Sequence, residues 1–348
     1  MAKTNNLTDF LTDVANAIRE KEGSSEAINP QDFVAKIRSI AGLPGVDKVT
    51  HNELDAFLLE LANTLREANG TSEPINPQAF SAEILSIVPV ITDMKLLPLF
   101  VEAIEPLTVS FSVNPIEYSL DNYTWQTLPV GASTPTIGAG RKVFFRASGL
   151  TATSADGIGT FSTTGMFNVG GNIMSMAYGA DFKSNSEITQ AYQFKRLFRA
   201  AEGLVDASKL TLPSMTMTKD CYHTLLARST SLIAAPALPA IVMAENCYLN
   251  LCYGCSSLEV APDLPATDLT GAKMCYNSVF AYCPKLRYLK AMILTPAPNN
   301  DNYYGAQTGN WLKGVASSGV FVKNSNAKWN VRGDHGIPSG WTVELADE

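Results

Sequence analysis

Apolar residues near the start of the chain recur at Leu7, Phe10, Leu11, Val14 and Ile18, the spacing of one helical stripe. The same stripe returns 47 residues later at Leu54, Phe57, Leu58, Leu61 and Leu65. Gly23 and Gly70 follow the stripes, where a helix can end in a left-handed residue. Asn29-Pro30 and Asn76-Pro77 then supply a cap and a first-turn proline for shorter helices carrying Phe33, Ile37 and Ile40, or Phe80, Ile84 and Ile87. The pattern predicts tandem helical hairpins over residues 1–45 and 46–92. A unit of this size buries little alone, so it is expected to pack on its twin, on sister subunits or on a partner.

From Leu99 the pattern shortens to alternation. Runs such as LTVSFSV, IEYSLD, KVFFRASG and MFNVGGNIMSM, separated by Gly, Ser, Asn and Asp, predict a β-sandwich over residues 93–180. A second repeat follows. Tyr192, Tyr222, Tyr248 and Tyr276 open successive units, and Leu204, Leu232, Leu258 and Leu286 recur at 28, 26 and 28 residues. That period predicts a leucine-rich-repeat solenoid over 181–295. GVFVK and GWTVE, covered by Trp329 and Trp341, predict a β-hairpin capping it within 296–348. The expected fold class is multidomain α + β: N-terminal tandem helical hairpins, a β-sandwich, a short leucine-rich-repeat solenoid and a C-terminal β cap.

Charge separates the two halves. Residues 1–90 hold 7 Lys+Arg against 13 Asp+Glu, nearly all of the net charge of −7 over 348 residues. This balance argues against a basic nucleic-acid-binding surface. No apolar run reaches the length of a membrane span, and MAKTNNLTDF lacks the apolar core of a secretory signal. The expected setting is a cytoplasm or a particle assembled there.

All six cysteines lie between Cys221 and Cys283. Cys221, Cys247 and Cys275 share one repeat position, and Cys255 and Cys283 another, as packing of small apolar thiols predicts. The Cys252/Cys255 pair therefore reads as buried thiols ahead of half a zinc site or a redox pair. His51, His223 and His335 stand in separate segments, and no HExxH, P-loop or GxSxG sequence occurs. No catalytic residue, metal site or cofactor is assigned.

The units containing CY…YGCSSL…AP and the ending NWLKGVASSGVFVKN…GIPSGWTVE resemble BspA-type leucine-rich-repeat proteins of gut Bacteroidales and their phages. The stretch IEYSLDNYTWQTL…GRKVFFRASG is similar to the β-domain that often precedes such repeats. The coils departing from the pattern carry Ala201 and Ser229 in place of the repeat cysteine. The front motif AIREK.G…INPQDF..KI resembles a helical module of phage tail and other virion proteins.

These resemblances imply a non-enzymatic bacteriophage virion protein. Residues 1–92 would contact other virion proteins. The solenoid would contact a host cell-surface glycan or protein. A homo-oligomer is expected, with no nucleic acid and no membrane insertion. The candidate binding residues are Tyr253, Tyr282, Tyr288, Tyr303 and Tyr304, because aromatic side chains stack on sugars and anchor interfaces. Packing in the core or cap is the alternative for each. A decoration protein without host contact, and a bacterial surface adhesin, are the rival functions.

Overall fold

The computed structural model of the chain describes residues 93–295 and 306–346. They fall into two compact units, residues 93–96 with 122–124, and residues 97–121 with 125–346. In the first, Met94–Leu96 forms a 3₁₀ turn in which the Leu96 amide donates to the Asp93 carbonyl at 3.0 Å. All the strands belong to the second.

The strands of the described residues are β1 (Leu99–Ala103), β2 (Val109–Phe111), β3 (Ile116–Ser119), β4 (Gln126–Leu128), β5 (Lys142–Arg146), β6 (Phe161–Thr163) and β7 (Phe167–Asn172), then, after the short helix α1 (Ser175–Tyr178), β8 (Leu204–Thr211), β9 (Tyr288–Ala291), β10 (Gly319–Lys323) and β11 (Trp341–Leu345). Alternation explains the first of them. In β1, Leu99, Val101 and Ala103 are buried on one face, while Phe100 on the other packs edge-to-face on Phe144 at 5.9 Å. A Cβ at Gly170 would stand 2.4 Å from the Phe100 ring, so β7 must carry glycine there.

A six-stranded sheet has the order β4-β3-β5-β1-β7-β8, antiparallel except for the parallel pair β7–β8. The ribbon β2–β6 lies against it through Phe161, whose ring is 4.8 Å from both Phe111 and Phe145. Phe161 also stacks on Phe198 at 5.2 Å, so the core continues without a break beyond residue 180. From β8 a parallel ladder runs through Asp206, Ala234, Val260 and Tyr288 to Val320 and Thr342. The repeats are thus coils stacked edge to edge.

The expected α + β class is corrected. Among the described residues α-helix is confined to the four residues of α1, and three sheets build the fold. The physical reason lies in the backbone. The helices of that class were expected in residues 1–92, and the repeats add none, because each has a run such as 220, 224 and 228 with positive φ at every fourth position, through which no α-helix propagates. The helical hairpins assigned to residues 1–92 lie outside the described residues. The two-layer sandwich expected over 93–180 is instead the six-stranded sheet flanked by a two-stranded ribbon.

The capping hairpin is also corrected. β10 and β11 run parallel, and β10 is parallel to β9. A parallel pair needs a crossover. Here the crossover brings Trp329 and Ile337 into the core, with Trp329 5.9 Å from Phe321 and its indole N–H donating to the Ile293 carbonyl at 2.8 Å.

The repeat register also differs from expectation. Phe194, not Tyr192, stacks on Tyr222 at 5.7 Å. Tyr192 instead donates its amide to Lys219 beside Asp220, at positive φ. Ser229 takes the cysteine position of its coil. Its hydroxyl donates to the Phe198 carbonyl at 3.1 Å, as the Cys255 and Cys283 thiols donate to Leu226 and Cys252 at 3.2 and 3.1 Å.

Candidate functional site

Each coil contains a ribbon of repeated turns, and these ribbons position the candidate tyrosines. In the ribbon around 220–228, amides of Asp220, Tyr222, Thr224, Leu226 and Arg228 donate to the next coil, at 2.7–3.0 Å. The intervening amides of His223, Leu225 and Ala227 donate three residues back in their own ribbon. Positive φ falls at 220, 224 and 228, then at 246, 250 and 254, at 274, 278 and 282, and at 310 and 314. The backbone therefore repeats every four residues and turns side chains two in and two out. Cys221-Tyr222 and Leu225-Leu226 are buried, while His223-Thr224 face outward. Stacking the buried pairs makes the aromatic column Phe194, Tyr222, Tyr248, Tyr276, with centroids 5.7–6.0 Å apart.

The outward pairs form two strips across the coils. The second comprises Arg199-Ala200, Ala227-Arg228, Tyr253-Gly254, Ala281-Tyr282 and Lys313-Gly314, in which Ala227 and Ala281 are themselves buried. Every pair has one long side chain and one small one, and the long one alternates between the two places. Tyr253 and Tyr282 consequently meet from neighbouring coils, edge-to-face at 5.2 Å and 67°. Tyr282 is 45% exposed although it is hydrogen-bonded into the stack through its amide.

The glycines make room for this. A Cβ at Gly314 would lie 3.1 Å from the Tyr282 ring, and one at Gly254 would lie 3.7 Å from Cγ of Arg228. Both glycines also have positive φ, at 70° and 72°, where side chains are strained. Arg228 is exposed, Arg199 and Lys313 are partly so, and none of the three forms an ion pair among the described residues.

Of the other candidates, Tyr288 belongs to β9 and lies in the strand ladder between Val260 and Val320, away from the ribbons. Tyr303 and Tyr304 lie outside the described residues. Sequence reasoning missed Arg199, Arg228 and Lys313. Their signal is the in-in-out-out pattern of CYHTLLAR, CYLNLCYG and CYNSVFAY, which marks Arg228 as the counterpart of Tyr282.

The first strip holds a polar clamp. Asp220 is buried and accepts from His223 Nδ1 at 2.9 Å in its own turn and from Asn246 Nδ2 at 3.3 Å in the next coil. Burial alone would raise its pKa. The His223 and Asn246 hydrogen bonds, with the His223 and Lys195 charges, outweigh that and hold it below the ordinary value. Lys195, with its pKa lowered by burial, donates to the Ser154 carbonyl at 2.6 Å. The arrangement ties adjacent coils together.

All six cysteines are free and buried. Burial pushes the Cys221 and Cys275 thiols up to about 12. Cys252 is raised by its hydrogen bond with Cys255 and by burial. These are packing thiols rather than nucleophiles. Among the described residues no group of three His, Cys, Asp or Glu side chains could hold a metal ion, and no helix is long and apolar enough to cross a membrane. No family model, curated protein or solved structure matches this chain.

Proposed function

We propose that this chain is a non-enzymatic bacteriophage virion structural protein whose coil stack binds the host cell surface. The observation that carries the binding role is the Tyr253–Tyr282 pair, with Tyr282 45% exposed on a backbone hydrogen-bonded to coils on both sides. An aromatic pair with one exposed and one half-buried ring on a rigid scaffold loses little entropy on binding a glycan or protein. The virion setting rests on the resemblance of the repeats and of the front motif. Residues 1–92 join the protein to other virion proteins, and copies of the chain associate.

The test uses fluorescently labelled full-length protein on a panel of Bacteroidales cells. Saturable binding to some strains, lost on the double change Tyr253→Ala with Tyr282→Ala, is expected. Binding that survives the double change would move the contact elsewhere. Absence of binding to every strain, with the protein still incorporated in particles, would favour decoration without host contact.

A further inference from the structure

On the surface-binding reading above, we propose that the second outward strip of the ribbons is the binding site and that its ligand is an acidic polysaccharide. The strip places one long side chain on each of five successive coils, in the order Arg199, Arg228, Tyr253, Tyr282, Lys313. Hydrogen-bonded coils lie about 4.8 Å apart, so the strip runs for about 19 Å. That is a track for an extended polymer rather than a pocket for a single small molecule. Of the small residues that alternate with them, Ala200 and Gly314 are exposed, Gly254 is half-buried, and Ala227 and Ala281 are covered.

The chemistry along the track is cation, cation, aromatic, aromatic, cation. The guanidinium groups present forked donors that fit a carboxylate or sulfate. The stem of Arg228 lies close to Gly254 of the next coil, 3.7 Å from where a Cβ there would stand. The tyrosines meet edge-to-face, so they offer one platform rather than two parallel ones. A saccharide ring lays its apolar C–H face on such a platform. Successive nucleobases would require rings to stack on in series and a cation for each phosphate. The strip has no cation on the two tyrosine coils, and the whole chain is net −7.

The experiment is affinity electrophoresis of the full chain in gels containing polygalacturonate, chondroitin sulfate or neutral dextran, with binding of labelled oligo(dT) measured alongside. Retardation by an acidic polymer and none by dextran is expected, weakening as salt rises. Arg228→Gln and Lys313→Gln should each weaken retention about tenfold, the scale of one charge-assisted hydrogen bond. Tyr282→Ala should do the same, and Lys328→Gln, an exposed lysine of the β10–β11 crossover, should do nothing. Surface substitutions of this kind leave the buried columns intact, and an unchanged melting temperature checks it.

Three results would overturn the proposal: equal retention by dextran, retention unmoved by Arg228→Gln and Tyr282→Ala, or tighter binding to oligo(dT). Absence of retention by either acidic polymer would overturn it as well. If cells are still bound in that last case, the surface-binding role stands and only the acidic glycan falls.

Discussion

The hydroxyls of Tyr222 and Tyr248 are buried in the aromatic column and have no hydrogen-bond partner among the described residues. An orphaned buried hydroxyl costs about 1–3 kcal/mol. Phe194 fills the same position one coil earlier without a hydroxyl. Tyr248→Phe should therefore leave the melting temperature unchanged or raise it, whereas Tyr248→Ala should cost about 3–5 kcal/mol in denaturant unfolding. Asp220 behaves oppositely, because its carboxylate is used. Asp220→Asn should cost about 1–3 kcal/mol by disturbing the His223 and Asn246 hydrogen bonds. Its pKa is lowered in the fold. Its contribution is therefore complete above the unfolded value of about 3.9 and is lost as pH falls through the lower folded value. Acid titration of wild type and Asp220→Asn should show the two stabilities converging in that range. The six thiols should remain unmodified by a thiol reagent at pH 8 until denaturant is added, since all six are buried out of its reach.

At the scale of elements, the ribbon is the device on which the candidate site depends. Its period of four lies close to the 3.6 of a helix, so apolar pairs such as Cys221-Tyr222 and Leu225-Leu226 are ambiguous when read along the chain. Glycine stands at 254 and 314, where φ is positive and a long neighbour packs close. Gly314→Ala should destabilise by about 1 kcal/mol or more, because the added methyl meets the Tyr282 ring in a left-handed conformation. The same change should weaken polymer binding by displacing Tyr282, which a purely structural effect on distant coils would not do. The strands GVFVK and GWTVE were legible as strands. Their parallel direction was not, because it is set by β9 and the coils beneath.

At the largest scale, residues 97–121, 125–295 and 306–346 share one core, with Phe161 bridging the sheet to Phe198 of the first coil. Sheet and coils should therefore unfold together. Trp125 belongs to the sheet end, where Arg146 stacks on it at 4.1 Å, and Trp311, Trp329 and Trp341 belong to the other end. Fluorescence of Trp125→Phe, which reports only the far end, should melt at the same temperature as the far-ultraviolet dichroism. Phe161→Ala should lower both midpoints together. Separate transitions would show two independently folding parts.

The sequence by itself determined the repeat period, the burial of the leucines and cysteines at recurring positions, and the short strands after Leu99. These follow from local alternation and from recurrence of residue type, which need no partner to be read. Tertiary structure alone decided the register that stacks Phe194 on Tyr222, the parallel course of β9, β10 and β11, and the meeting of Tyr253 with Tyr282. Each of these depends on pairing between residues 22 or more positions apart, where the next coil or strand rather than the adjacent residue supplies the hydrogen bonds and the contact.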